Sequence, residues 1–290
     1  KAEFHLACGP KRAGRIGLMA MASHEVIEVE RCEIVDESIN RKLGLCREAL
    51  RQGRLRPRDE RLILWSDEEG EPPADPCDVS LEITRIVEGK RMAVPSQGFF
   101  QANVSLVGEL VRQVRDLSDL TGRETVLDVY AGSGLFSLFL GGLSQRLFAI
   151  EGDADAALCA RMNLAREGFG HAECFAGNAA AVIRETLAPR GVKAGVVVLD
   201  PPRDGCGPKV LEALLMLGPQ RIVYVSCNPA TQARDCRLLA DKGYALRRLQ
   251  PLDMFPQTAH IEVVALLTGA GSGDATQGSG APRGCAPSSS

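Results

Sequence analysis

The spacing of apolar positions changes once along the chain. Over residues 1–35, short apolar or alternating runs (2–7, 16–22, 26–29 and 34–35) are broken by Gly9-Pro10 and Gly14. That pattern predicts antiparallel strands joined by turns. Residues 41–61 turn helical and strongly basic; 62–65 and 79–87 then predict strands around an acidic, proline-rich loop at 66–78. Pro95–Asn103 breaks the pattern ahead of a helix at 104–117. From there strand and helix alternate, with strands at 124–129, 146–150, 172–175, 195–199 and 221–225 and helices at 135–141, 154–166, 179–187, 208–217 and 229–242. Strands at 244–251 and 260–267 close the series, and periodicity stops beyond Thr268. Such alternation predicts an α/β fold with a doubly wound, mostly parallel sheet, preceded by a smaller α+β domain with antiparallel strands. The expected division is 1–96, 97–268 and a disordered tail, 269–290.

Composition narrows the class. The 290 residues suffice for one large or two ordinary domains, and 45% hydrophobic with 24% charged content is that of a soluble globular protein. No apolar run approaches the roughly 20 residues that cross a bilayer, and no signal-peptide pattern opens the chain. The first residue is Lys1 rather than Met, so a lost upstream segment is expected. The ten cysteines form no C-x-x-C pair. Reduced thiols in a cytoplasm fit this usage better than a disulfide framework or a self-contained metal site. A formal net charge of −3 argues against a protein held on nucleic acid by bulk charge. The basic 41–61 segment is open to two readings, a solvated helix face or a phosphate-contacting surface.

Four strand ends carry candidate chemistry. Asp128-Val-Tyr130-Ala-Gly132-Ser-Gly134 lies between a strand and a helix, where glycine lets a ligand approach the backbone. Glu151 ends the next strand, roughly 20 residues on, at the place of a carboxylate that binds a ribose diol. The pair suggests NAD or S-adenosylmethionine. Position 137 is Ser, so the pyrophosphate pattern is incomplete and S-adenosylmethionine is favoured. Asp200-Pro201-Pro202 forms a rigid turn after the fourth strand. Some amino-group methyltransferases use such a turn with an aromatic next; Arg203 stands there instead. Cys227 follows the fifth strand, and Asn228-Pro229 reads as N-cap and first helical residue. Amide donors and the helix dipole then predict a lowered thiol pKa, against the alternative of a buried structural thiol. If the last strand runs antiparallel, Glu262 reaches the same edge as a base; the alternative is an exposed strand terminus.

The segments 99–103, 128–134, 200–203, 223–235 and 253–262 resemble the S-adenosylmethionine-dependent RNA uracil-C5 methyltransferases that act on tRNA or 23S rRNA. The likeness covers about residues 1–267. It implies a Rossmann-like class I methyltransferase with a seven-stranded sheet whose last strand is antiparallel, acting as a monomer on RNA, with 23S rRNA expected ahead of tRNA. It also implies Cys227 as the nucleophile at C6 of uracil and Glu262 as the base that takes the C5 proton. Gln101, Tyr130, Glu151, Asn178 and Asp200 match positions that hold S-adenosylmethionine. Three departures stand out. The small RNA-binding barrel with which family members often begin has no counterpart in residues 1–290. Only Cys32 matches a ligand of the iron–sulfur cluster that some relatives hold, so a cluster is not expected. Leu135 replaces a polar residue after the glycine turn. Two other functions remain open: a methyltransferase acting on an amino group through Asp200-Pro-Pro, and an inactive paralogue binding RNA through 41–61.

Overall fold

The computed structural model describes residues 1–7, 15–20, 23–55, 61–68 and 82–269. The expected tail apart from Gly269, most of the acidic loop, and Arg56 and Arg58 of the basic segment lie outside the described residues. In the first part of the chain, β1 (Ala2–Leu6), β2 (Ile16–Met19), β3 (Val26–Glu28) and β4 (Arg61–Leu64) form an antiparallel sheet in the order β3-β2-β1-β4. Helix α1 (Glu37–Arg51) packs on it around Phe4, Ile16, Ile39, Leu43 and Leu64.

Helix α1 starts four residues before the expected point because Asp36 caps it, accepting from the Ser38 amide at 2.8 Å. It stops at Arg51, ahead of Gly53 with φ +68°. Its cations are largely engaged within the molecule. Lys42 is buried and bonds the Trp65 carbonyl (2.8 Å) and Asp67 (2.6 Å). Arg41 pairs with the same Asp67, Arg47 donates to the Glu30 carbonyl, and Arg51 pairs with Glu48.

Strands β5 (Glu82–Val87) and β6 (Lys90–Pro95) form a hairpin. The sequence pattern had no strand at 90–95, since Pro95 and the change of period obscured it. The turn residues Glu88 and Gly89 both have positive φ, at 46° and 76°, as a two-residue hairpin turn of primed type requires.

The remainder, α2 (Val104–Ser118), β7 (Thr125–Val129), α3 (Leu135–Leu140), β8 (Arg146–Glu151), α4 (Ala154–Arg166), β9 (Ala172–Ala176), α5 (Ala179–Ala181), β10 (Val196–Leu199), α6 (Gly207–Met216), β11 (Arg221–Ser226), α7 (Pro229–Ala240), β12 (Tyr244–Leu252) and β13 (Glu262–Gly269), builds one seven-stranded sheet. Its order is β12-β13-β11-β10-β7-β8-β9, parallel from β11 to β9, with β13 antiparallel to both neighbours. Side-chain parity divides the core. Val126, Val196, Val198, Val223 and Val225 pack with α2 and α3, while Leu127, Val129, Val197, Leu199, Ile222 and Tyr224 pack with the opposite helical layer. Both faces are covered, which is why these strands read as continuous apolar runs.

The helix expected at 179–187 is α-helical only to Ala181 and then winds as a π turn, Val182–Leu187, closed by the Ala188 amide on the Ile183 carbonyl at 2.8 Å. Successive connections from β7 and β10 leave in opposite directions. A crevice therefore opens at the carboxyl ends of these two adjacent strands.

Candidate active site

At that crevice, β7 delivers Asp128 and the glycine turn. Asp128 is fully buried and accepts from the Ser137 amide (2.9 Å) and hydroxyl (2.6 Å). It thereby caps α3, whose own N-cap is Gly134 and has no side chain to do so. Tyr130 is held with φ at 64°, a left-handed conformation that non-glycine residues rarely adopt and that recurs at ligand sites. Gly132 has φ at 54°, and the space where a Cβ would stand is open. Its amide donates to Glu151 at 2.7 Å, while the other Glu151 oxygen takes the Asp153 amide at 2.8 Å. The β8 carboxylate is thus locked against the glycine turn, and the alternative of a freely solvated loop group does not hold.

Asp200, at the end of β10, receives Gln101 Nε2 at 3.4 Å, bringing together two candidates 99 positions apart. Asn178 follows β9, is exposed, and caps α5 through Oδ1 on the Ala181 amide at 3.2 Å. Burial, then Glu262, Asp128 and Glu151, push the Asp200 carboxyl well above its ordinary range. Burial likewise raises Asp128 to about 6. A partly buried crevice with this many carboxyls lowers its energy by taking up positive charge. A nucleoside with cationic centres, such as the sulfonium and ammonium of S-adenosylmethionine, fits that donor set.

Cys227 and Glu262 meet at the same edge. Ser226 is in register with Val263 across β11 and β13, so the residue after β11 and the first residue of β13 adjoin. Glu262 is only 3% exposed, which removes the reading of a solvated terminus. Burial pushes it up to about 7. The cap is as expected: Asn228 Oδ1 accepts from the Ala230 amide at 3.1 Å, and Pro229 opens α7.

The lowered thiol pKa is not. Burial pushes the Cys227 thiol up, Glu262 and Asp200 add to this, and Arg203 opposes them. The helix terminus is outweighed first by burial and then by the charges of Glu262 and Asp200, an environment that no local motif encodes.

Sequence reasoning missed several groups. Asp128 was visible only as part of the glycine motif. Gln232 and Asp235 are buried polar residues on α7, three positions apart and therefore on one face, which was the available signal. Cys32 is buried, its backbone held by Asn40. Among the described residues, no group of three or more His, Cys, Asp or Glu could hold a metal, and no helix is long and apolar enough to cross a membrane.

These features can be set beside known proteins. An uncharacterized RNA methyltransferase of Halalkalibacterium halodurans is 42% identical over 177 residues, 61% of this chain and 38% of that protein. One from Geobacter sulfurreducens is 43% identical over 185 residues, 64% of this chain and 37% of that protein. The chain thus spans about two fifths of the length of the curated relatives it matches. The solved tRNA (uracil-54, C5)-methyltransferase of Pyrococcus abyssi, in complex with S-adenosyl-L-homocysteine, superposes with a TM-score of 0.67 at 23% identity. The superposition covers 92% of this chain and 75% of that one, and it shows a shared Rossmann-like methyltransferase fold. The family model described as tRNA (uracil-5-)-methyltransferase matches residues 81–270, which take in the hairpin, the glycine turn, Asp200, Cys227 and Glu262, and the chain belongs to that family.

Proposed function

We propose that the protein transfers a methyl group from S-adenosylmethionine to C5 of a uridine in RNA through a covalent adduct between Cys227 and C6. What supports this reading is the juxtaposition of a partly buried Cys227 with the buried carboxyl of Glu262 beside the Asp200 crevice. Bound S-adenosylmethionine supplies an electrophilic methyl group. Glu151, held by the Gly132 amide, would bind its ribose, and Gln101, Tyr130, Asn178 and Asp200 would hold the rest of it, Gln101 being bonded to Asp200. The Cys227 thiolate adds to C6, and the displaced π electrons pass to the C4 oxygen as an enolate. C5 then bonds the methyl carbon as the sulfonium–carbon bond breaks. Glu262, ionised, takes the C5 proton, C5=C6 re-forms, and the thiolate leaves. A sulfonium charge bound in the crevice would offset the part of the rise in the thiol pKa that comes from Glu262 and Asp200.

The proposed division sets residues 1–96 against RNA and 97–268 around the cofactor, with the β5–β6 hairpin as the joint. No described contact discriminates 23S rRNA, expected first from the sequence, from tRNA, so both are assayed. Incubation of each with S-adenosylmethionine, followed by mass spectrometry of the nucleosides, is expected to yield 5-methyluridine with the native chain and none with Cys227→Ala. Methylation of an exocyclic amino group that survives Cys227→Ala would establish the Asp200-Pro-Pro reading instead.

A further inference from the structure

Helix α7 begins immediately after Cys227, and its first turns bond to the two other segments that bring reacting groups to the site. Thr231 Oγ1 shares its proton between the Arg203 carbonyl at 3.0 Å and the Asn228 carbonyl of its own helix at 3.1 Å, and Asn228 Nδ2 donates to the same Arg203 oxygen at 3.1 Å. One turn on, Arg234 donates to the Asp204 carbonyl at 2.8 Å, and buried Asp235 accepts the Cys206 amide at 2.8 Å and the Tyr224 hydroxyl at 2.7 Å. A Cβ at Gly205 would stand 2.6 Å from the Asp235 carboxylate, so the turn and the helix are in close contact. The same helix reaches the other way through Gln232, 3% exposed, whose Nε2 donates to the Tyr224 carbonyl at 2.8 Å and the Val263 carbonyl at 3.1 Å. Val263 is the residue after Glu262.

We propose that Thr231 and Gln232 are positioning residues: Thr231 fixes the Asp200–Arg203 turn relative to Cys227, and Gln232 fixes Glu262 relative to Cys227. Helix α7 is then the common rigid reference for nucleophile, base and cofactor carboxylate. The two bonds serve different steps of the proposed reaction, on which this inference rests. Adduct formation needs the Asp200–Arg203 turn, bonded to α7 at the Arg203 carbonyl, held in place next to Cys227; release of product needs Glu262 at the C5 proton.

The test separates the steps. Thr231→Val keeps shape and loses the hydroxyl. It is expected to slow covalent adduct formation on tRNA and 23S rRNA fragments transcribed with 5-fluorouridine on the order of 10-fold, with Thr231→Ser restoring the rate. Gln232→Met is expected to form that adduct at the native rate. On ordinary uridine RNA with S-adenosylmethionine it accumulates a methylated, covalently held intermediate and turns over on the order of 10-fold slower, with KM falling alongside kcat and kcat/KM for RNA unchanged. Native rates in Thr231→Val, or turnover lost in Gln232→Met without accumulation of adduct, would overturn the inference. If Gln232→Met does not fold by circular dichroism, the Thr231 pair decides alone. Absence of any adduct with the native chain would overturn the proposed reaction itself, a result distinct from unequal steps in the variants.

Discussion

Glu262 stands near the midpoint of its titration at neutral pH, because burial lifts it to about 7. As a base it acts only when ionised, so the proton-removal step is expected to quicken as pH rises through about 7 and to level off above. Stability runs the other way. A carboxyl whose folded pKa is raised binds its proton more tightly folded than unfolded. Folding therefore loses stability as pH climbs from the ordinary glutamate range to about 7, and the deficit is full above that. From the size of the shift the deficit is roughly 3 kcal/mol at most. Glu262→Gln is expected to melt higher than the native chain at pH 8, with the difference gone near pH 4, and to accumulate the covalent adduct. Thermal denaturation against pH checks the first part; equal melting points at pH 8 would contradict it. At this scale the sequence was legible wherever a group ends a strand: Cys227, Asp200 and Glu151. Ionisation was not, since the thiol pKa depends on Glu262, 35 positions away in the chain.

The elements were legible through period and caps. Asn228 and Pro229 stand where α7 begins, as cap and first helical residue. What escaped was hidden by short length. Nine residues do not distinguish an α-helix from one that relaxes to a π turn, and the β6 strand is only six residues long and ends on proline. Part of the hairpin's attachment was also unreadable: besides the Lys90–Glu167 pair and the packing of Met92 and Val94, it uses one buried polar residue in an otherwise ordinary helix. Asn163 of α4, 1% exposed, donates to the Ala93 carbonyl (2.9 Å) and the Ser133 carbonyl (2.9 Å) and accepts the Ala93 amide (2.7 Å). It thus joins β6 to the glycine turn. Asn163→Ala leaves these backbone groups buried and unpaired, and is expected to lower stability by about 2–4 kcal/mol. Chemical denaturation reads this out, and a loss under about 0.5 kcal/mol, the range of surface changes, would contradict it.

For the whole molecule, alternation of strand and helix predicts a sheet but not its order. The order is what places β7 beside β10 and lets β13 return antiparallel, so that groups from positions 101, 130, 151, 200, 227 and 262 come to one edge. The family likeness carried that information where local periodicity did not. The basic segment shows the opposite case. Its charges suggested an RNA surface, yet among the described residues Arg41, Lys42 and Arg51 pair with Asp67 and Glu48, so the count of basic residues overstates the charge that α1 presents. The account therefore rests on Cys227 as nucleophile. The most direct measurement is mass spectrometry of the peptides from a complex trapped on 5-fluorouridine RNA in the presence of S-adenosylmethionine, where fluorine at C5 blocks release. A methylated fluorouridine nucleotide is expected on the peptide containing Cys227, and none with Cys227→Ala. A nucleotide on another residue, or an adduct that persists in Cys227→Ala, would contradict it.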